Sequence, residues 1–141
     1  MVDASVVIKW LVPEEYSGEA LRLLDDHLEG RVVAAAPSYS VLEVANALRK
    51  YVARGLLGEP EAWEAYGILL DAGLELHEVE GEAAGEALRY ALENSVTVYD
   101  AYYIVLARRL GAVFYTADER LLRRLRGREP SARHIAEYPG G

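Results

Sequence analysis

Hydrophobic residues recur along this chain in two alternating patterns. Apolar residues three and four positions apart predict amphipathic helices, and short continuous apolar runs between them predict buried strands. The third predicted helix, for example, places Val41, Val44, Leu48 and Val52 on one face. The predicted helices cover about residues 5–12, 17–28, 38–52, 60–71, 82–92, 100–110 and 118–125. The predicted strands cover about residues 1–2, 31–36, 74–79, 112–116 and 134–138.

Strands that alternate with helices are typical of α/β proteins. We therefore expect a central, mostly parallel sheet flanked by helices on both faces. Pro37 is expected to end the second strand, Ser38 to cap the third helix and Pro60 to open the fourth. The chain has 141 residues and no evident linker, which predicts a single domain over residues 1–141.

Three of the six aspartates share one local pattern, in which an Asp precedes apolar residues three, four and seven positions further on. These are Asp3, Asp100 and Asp118. On a helix the apolar positions fall on one face, so each carboxylate would stand at the head of the face that its helix buries. A carboxylate at the edge of a core is unfavourable unless a helix N-terminus, a cation or a shared metal ion compensates it.

Composition restricts the setting of these acids. Cysteine is absent, which excludes disulfides, thiolate metal sites and cysteine nucleophiles. The apolar fraction of 52% favours a compact fold, and no apolar stretch approaches the length of a membrane span. The amino terminus carries an acid where a secretory signal would carry positive charge. We therefore expect a soluble, cytoplasmic protein.

Charge is distributed unevenly along the chain. The net charge is −8 overall and −9 between residues 58 and 93, but residues 100–134 carry a net +4 because eight arginines lie there. An acidic protein is an unusual nucleic-acid binder, because phosphate contacts need Lys and Arg. Our hypothesis is that Arg108, Arg109 and the arginines from Arg120 to Arg128 help to seat RNA or a protein partner; solvated helix faces are the simpler alternative.

The predicted architecture gives the acids a common location. Sites in open parallel sheets form outside the carboxyl ends of the strands, and Asp3 and Asp118 each follow a predicted strand directly. Asp100 and Glu43 would arrive from helices. Clustered carboxylates repel one another unless divalent cations neutralise them, and such clusters serve metal-assisted hydrolysis of phosphodiesters. With oxygen ligands alone, the suitable cations are Mg2+ or Mn2+.

Each acid also has a structural interpretation. Asp is a favoured N-cap, so Asp3, Asp100 and Asp118 could each satisfy amide groups at a helix start. Glu43 lacks the shared pattern, and Ser40 followed by Glu43 matches a capping box if the third helix begins two residues later. From spacing alone, capping is at least as well supported as catalysis for any one of them.

Several short motifs resemble those of PIN domains, and most closely those of the small VapC-type toxins, over nearly the whole chain. They are residues 2–6 (VDASV), 43–48 (EVANAL), 99–102 (YDAY) followed by Ala107, and 114–118 (FYTAD) followed by Leu121. The resemblance implies a metal-dependent ribonuclease site built from Asp3, Glu43, Asp100 and Asp118, with Thr116 helping to hold water, phosphate or the cluster itself. It also implies a homodimer and a small VapB-type antitoxin that blocks the site.

Two other functions stay open at this point. One is a PIN-fold nuclease of RNA maturation outside a toxin-antitoxin system. The other is a non-catalytic interaction module whose acids only cap helices. Nucleotide-binding folds are disfavoured, since the chain contains no Gly-x-Gly-x-x-Gly or Walker-type loop.

Overall fold

The computed structural model describes residues 1–140. Short parallel strands and α-helices alternate along the chain, which confirms the predicted α/β class. The helices are α1 (Ala4–Leu11), α2 (Ser17–Leu28), α3 (Ser40–Ala53), α4 (Glu59–Asp71), α5 (Gly81–Asn94), α6 (Val98–Leu110) and α7 (Glu119–Leu125). The strands are β1 (Ala35–Pro37), β2 (Glu75–His77), β3 (Phe114–Thr116) and β4 (Ala132–His134).

The N-terminal segment joins two pairs of parallel strands into one layer. β1 pairs with β2, and β3 pairs with β4. Val2 forms a parallel bridge with Tyr115 of β3 and donates from its amide to the carbonyl of Ala35, at 3.0 Å. The order across the layer is therefore β2, β1, the segment at Val2, β3 and β4, and the pairings of β1 with β2, of Val2 with Tyr115 and of β3 with β4 are parallel.

Helices cover both faces of this layer. Neighbouring residues of the sheet contribute alternately to two buried clusters, because successive side chains of a strand point to opposite faces. Met1 and Phe114 belong to a cluster with α5, α6 and α7, whereas Val2 belongs to a cluster with α1, α2, α3 and α4. The predicted flanking of the sheet on both faces is confirmed.

The strand predicted over residues 31–36 lies further along the chain, at Ala35–Pro37. Val32 and Val33 are 37% and 62% exposed, so the apolar run that suggested the strand precedes the sheet instead of entering it. Small alanines fill the buried positions because helices pack closely on both faces. Pro37 is the last residue of the strand, and it has no amide N–H to donate to a neighbouring strand.

Ser38 does not cap the third helix. Its amide donates to the carbonyl of His77 at 2.8 Å and so extends the pairing of β1 with β2. The helix begins at Ser40, after Tyr39 at the N-cap position. The alternative capping box also fails to form, because Ser40 lies inside the helix and its hydroxyl has no partner among residues 1–140.

The strand predicted over residues 134–138 is also wrong. β4 ends at His134, and a 3-10 helix covers Ile135–Glu137. The His134 imidazole accepts from the amide of Ala136, and the Glu137 carboxylate accepts from the amide of His134. These two bonds turn the chain away from the sheet.

Among residues 1–140, no helix combines the length and the apolar character needed to cross a membrane.

Candidate active site

Asp3 is a buried carboxylate that follows the N-terminal sheet segment and caps α1. Its side chain is held by three donors: the hydroxyls of Ser5 and Thr116, both at 2.5 Å, and the amide of Val6 at 3.3 Å. Burial raises the pKa of Asp3 to about 7, although these hydrogen bonds oppose the rise. The charge of Asp100 raises the Asp3 pKa further. A nearby cation would stabilise the ionised form of a carboxyl group whose pKa is raised in this way.

Thr116 connects Asp3 to Asp118. It is fully buried at the carboxyl end of β3. Its hydroxyl donates to Asp3 Oδ2 and accepts from the amide of Asp118 at 3.0 Å. Thr116 therefore fixes Asp3 against the start of the segment that carries Asp118.

Asp118 caps α7. Its Oδ1 accepts from the amide of Leu121 at 3.0 Å, and the side chain is half-buried. Oδ1 thus accepts a hydrogen bond from an amide group at the start of α7. The structural interpretation of this aspartate as an N-cap is therefore confirmed, as it is for Asp3.

Asp100 has a different role from the one that its local pattern suggested. α6 begins at Val98 and its N-cap is Thr97, whose hydroxyl accepts from the Asp100 amide at 3.1 Å. The carboxylate of Asp100 is not the cap of this helix. Burial raises the pKa of Asp100, and the charge of Asp118 raises it further.

Glu43 lies in the first turn of α3 and is held from a helix distant in sequence. The hydroxyl of Tyr103 donates to Glu43 Oε1 at 2.7 Å. Burial raises the pKa of Glu43, the bond from Tyr103 opposes this effect, and the charge of Asp100 adds to it. The Glu43 carboxylate is thus bonded to Tyr103 of α6 and not to its own helix terminus.

The four acids influence one another through Asp100. Its charge raises the pKa of both Asp3 and Glu43, and Asp118 in turn raises the pKa of Asp100. Among residues 1–140, no three acidic or imidazole groups are close enough to form a closed metal-ligand shell. The donors themselves fit a hard divalent cation, because all are carboxylate oxygens, and burial and repulsion raise the pKa values of Asp3, Glu43 and Asp100.

A cavity of about 260 Å³ opens between two of these acids and two basic side chains. Asp100 and Asp118 line it together with Thr97, Arg120 and Arg124. Acids and arginines around one cavity match the charge pattern of a site that holds a cation beside an anionic group.

Comparison with known proteins identifies the family. The family model of the PIN domain matches residues 1–127. The chain belongs to the PIN-domain family. A relative named Ribonuclease VapC3, from Pyrobaculum aerophilum, is 37% identical over 128 residues, which cover 86% of this PIN-domain chain and 90% of the relative.

The fold of this PIN-domain chain is similar to a solved structure. The crystal structure of PAE2754 from Pyrobaculum aerophilum matches with a TM-score of 0.69 over 96% of this chain and 87% of that one. Sequence identity in this match is 24%, so the likeness concerns the fold.

Two residues that support the acids were not singled out from the sequence. Ser5 donates to Asp3 and accepts from the amide of Ala117 at 2.8 Å. Tyr103 holds Glu43 and stacks on Phe114, with ring centroids 5.5 Å apart. Ser5 lies within the first motif, so its position was available as a signal. Tyr103 carried no local signal, because its bond to Glu43 spans sixty residues of sequence.

Proposed function

We propose that this PIN-domain chain is a Mg2+- or Mn2+-dependent endoribonuclease of the VapC type, which hydrolyses RNA phosphodiesters at a site of four carboxylates. Asp3, Glu43, Asp100 and Asp118 are its acids, and residues 1–141 form one domain. The observation that carries the proposal is the state of Asp100, whose carboxylate is free of capping and lies within the electrostatic influence of other acids. The named ribonuclease relative supplies the substrate class.

The chain's own residues divide the work of such a site. Asp3 and Asp100 are the principal ligands of the cation, and Asp118 and Glu43 complete the cluster directly or through water. Thr116 holds the carboxylate of Asp3 in place through its hydroxyl. A bound divalent cation supplies Lewis acidity, which makes water a better nucleophile and stabilises the leaving oxygen of a phosphodiester.

Tyr103 and Ser5 orient the acids without touching the reacting atoms. Ser5 donates to Asp3 Oδ1, while Thr116 donates to the other oxygen, and Tyr103 donates to Glu43 Oε1. Hydrogen bonds from outer residues fix ligand orientation and tune the affinity of the cation.

The test is cleavage of a mixed panel of structured RNAs by purified protein in Mg2+, in Mn2+ and in chelator. We expect metal-dependent cleavage that Asp100→Asn abolishes with little loss of stability, because Asp100 caps no helix. Asp71→Asn is the matched control, since Asp71 is exposed at the end of α4. Cleavage that survives Asp100→Asn, or none under any condition, would contradict the proposal.

The same proposal includes a homodimer and a small VapB-type antitoxin, as the toxin of a type II toxin-antitoxin pair. A cleft of about 610 Å³ between α3 and α4 supports a protein partner. Leu48, Val52 and Trp63 line it, and Trp63 is 69% exposed. Exposed apolar surface of this kind is typical of protein interfaces. Light scattering of the purified chain tests the dimer; a monomer at every concentration would contradict it.

The interaction module remains the alternative with structural support, because Asp3 and Asp118 do cap helices. Asp100 and Glu43 oppose it, since neither carboxylate is used at a helix start.

A further inference from the structure

The arginines after Leu106 fall into two groups that the sequence alone did not separate. Arg108 pairs with the buried Glu129 at 2.5 Å, and Arg109 pairs with Glu86 at 2.7 Å. Both charges are therefore neutralised within the fold. Six further arginines form no ion pair among residues 1–140: Arg120, Arg123, Arg124, Arg126, Arg128 and Arg133. The hypothesis that all of these residues act together needs revision, because only the second group has charge to offer a partner.

The fold gathers five of the unpaired arginines on one side of α7. Leu121 and Leu125 bury the inner face of this helix, so positions 120, 123 and 124 lie on its exposed face. The helix then ends at Arg126, which has a left-handed backbone with φ of 51°, and Gly127 follows with φ of 71°. This reversal returns the chain toward the same side, so that Arg126 and Arg128 line one groove with the arginines of the helix.

The groove has a volume of about 480 Å³ and lies between α7 and the end of α5. Its lining consists of the five arginines together with Glu93, Asn94 and Ser95. Arg124 donates to the carbonyl of Ser95 at 2.7 Å, and Arg128 donates to the carbonyl of Leu125 at 3.2 Å. These bonds orient two guanidinium groups without neutralising them. Glu93 is the one acid in the lining, so the groove holds a large excess of positive charge in a chain whose net charge is −8.

The arginine groove adjoins the cavity of the acids. Arg120 and Arg124 line both, and Asp100 and Asp118 line the second. A ligand that occupied the groove and continued past these two arginines would reach the carboxylates. The ligand best matched to this path is an extended chain of phosphates, because guanidinium groups bind phosphate oxygens and the acids need a phosphodiester beside them.

We propose that the groove formed by Arg120, Arg123, Arg124, Arg126 and Arg128 binds the sugar-phosphate backbone of single-stranded RNA and leads it into the cavity lined by Asp100 and Asp118. The inference rests on the proposed ribonuclease function and adds the surface and direction from which the substrate approaches. Binding here is independent of base sequence, because contacts to phosphate carry no sequence information.

The test compares two double variants with the same charge change, both in an Asp100→Asn background so that the RNA stays intact. Arg123→Gln with Arg126→Gln removes two groove arginines that do not line the acid cavity. Arg31→Gln with Arg109→Gln removes two arginines already paired with carboxylates. The probe is a fluorescein-labelled single-stranded RNA of mixed sequence, and its affinity is measured by anisotropy over a series of potassium chloride concentrations.

For Arg123→Gln with Arg126→Gln, the groove variant, we expect weaker RNA binding. The slope of log affinity against log salt should also become shallower by about 1.4, because each lost phosphate contact removes roughly 0.7 from the slope for single strands. Arg31→Gln with Arg109→Gln, the paired variant, should keep the salt slope of the parent protein, which carries Asp100→Asn alone. Arg123→Lys with Arg126→Lys keeps the charge, so it restores most of the slope and shows that a loss in the glutamine variant is not misfolding.

The outcomes separate this inference from the proposed function. Equal slopes for the groove, paired and parent proteins, with metal-dependent cleavage by the wild-type chain, overturn the groove and leave the ribonuclease in place. If the salt slope is shallower in the groove variant but the wild-type chain cleaves no RNA, the groove is supported as an RNA-binding surface and the catalytic proposal is overturned. If the groove variant loses affinity for a labelled polyglutamate peptide but not for RNA, the partner is an acidic protein and the inference is wrong.

Discussion

At the scale of single residues, Tyr103 has the most specific supporting contact of the site. Its hydroxyl donates to Glu43, and its ring stacks on Phe114 and lies edge to face with Tyr39. The ring is thus fixed by packing, and the hydroxyl is left to position one carboxylate. Replacing Tyr103 by Phe removes only the hydroxyl, so it separates the contribution of the hydrogen bond from that of the packed ring.

We expect Tyr103→Phe to raise the Mn2+ concentration needed for half-maximal cleavage by about 10-fold, because outer hydrogen bonds of this kind contribute roughly 10- to 100-fold to metal affinity. Activity at saturating Mn2+ should fall much less. Tyr102→Phe is the matched control: its hydroxyl accepts from the amide of Glu80 and touches none of the four acids. Equal metal dependence in the two variants would show that Tyr103 has only a packing role.

Asp3 gives the site a pH dependence of known sign. Its folded pKa is raised from 3.8 to about 7, so the folded protein binds more protons than the unfolded chain between these values. The stability associated with Asp3 is therefore fully present below about pH 4 and is lost as the pH rises through about 7. Glu43 and Asp100 act in the same direction, since their pKa values are also raised.

The measurement is urea unfolding in chelator across this range, for the wild-type chain and for Asp3→Asn. The free energy of unfolding of the wild-type chain, relative to the variant, should fall as the pH rises. Adding Mn2+ near neutral pH should reverse the fall, because a ligand that binds the folded state stabilises it. A difference that grows with pH in chelator would contradict the raised pKa.

Sequence patterns predicted part of this arrangement at the residue scale. Asp3 and Asp118 follow strands, so the rule for parallel sheets predicts both at one edge of the sheet. Glu43 was different, because its neighbours at helical spacing are polar and nothing local distinguished it. Only the motif resemblance selected it, and its support from Tyr103 depends on the packing of α6 against the rest of the fold.

At the scale of elements, the two helices that carry aspartates at their starts differ in what caps them. α6 is capped by Thr97, three residues before Asp100, the cap that the sequence pattern indicated, whereas α7 is capped by Asp118 itself. Asp118 therefore combines a structural role with its proposed ligand role. Substitutions can separate the two roles, because Asn is as good an N-cap as Asp but carries no charge.

For α7 we expect Asp118→Asn to keep the stability of the wild-type chain within a few tenths of a kcal/mol, and Asp118→Ala to lose about 1 kcal/mol, the usual cost of removing an N-cap. Both variants should lower cleavage in Mn2+. Chemical denaturation and the RNA cleavage assay supply the two measurements. Full activity in Asp118→Asn would show that the residue is a cap only.

Helices were easier to predict than strands. α2 occupies the predicted residues 17–28, and α4 begins beside Pro60 as expected. Strands of three residues are too short to show an alternation of apolar and polar positions. The buried strand β1, moreover, consists of two alanines and a proline. The exposed pair Val32 and Val33 gave a stronger strand signal than the strand itself.

At the scale of the whole molecule, charge is divided between two regions that meet near α7. The chain is acidic overall, yet five arginines without an ion pair among residues 1–140 line one groove beside the carboxylate cavity. The run of charges in sequence indicated that a basic region existed. It did not indicate which arginines were free, because the partners of Arg108 and Arg109 come from other parts of the chain.

The sheet order was also beyond the reach of the sequence. Alternating strands and helices predicted a parallel sheet, but the position of the N-terminal segment between β1 and β3 depends on contacts across the whole chain. That position matters for the proposed site, because it carries Asp3 to the middle of the sheet, next to Thr116.

The central claim is that the four acids form a divalent-cation site. Calorimetric titration of the metal-free chain with Mn2+ near neutral pH tests it most directly, with Asp100→Asn and the exposed Asp71→Asn measured in parallel. We expect saturable binding in the wild-type chain and in Asp71→Asn, and a loss of affinity in Asp100→Asn larger than the roughly 100-fold effect of outer hydrogen bonds. Equal Mn2+ affinity in all three proteins, or no binding in any, would contradict the account.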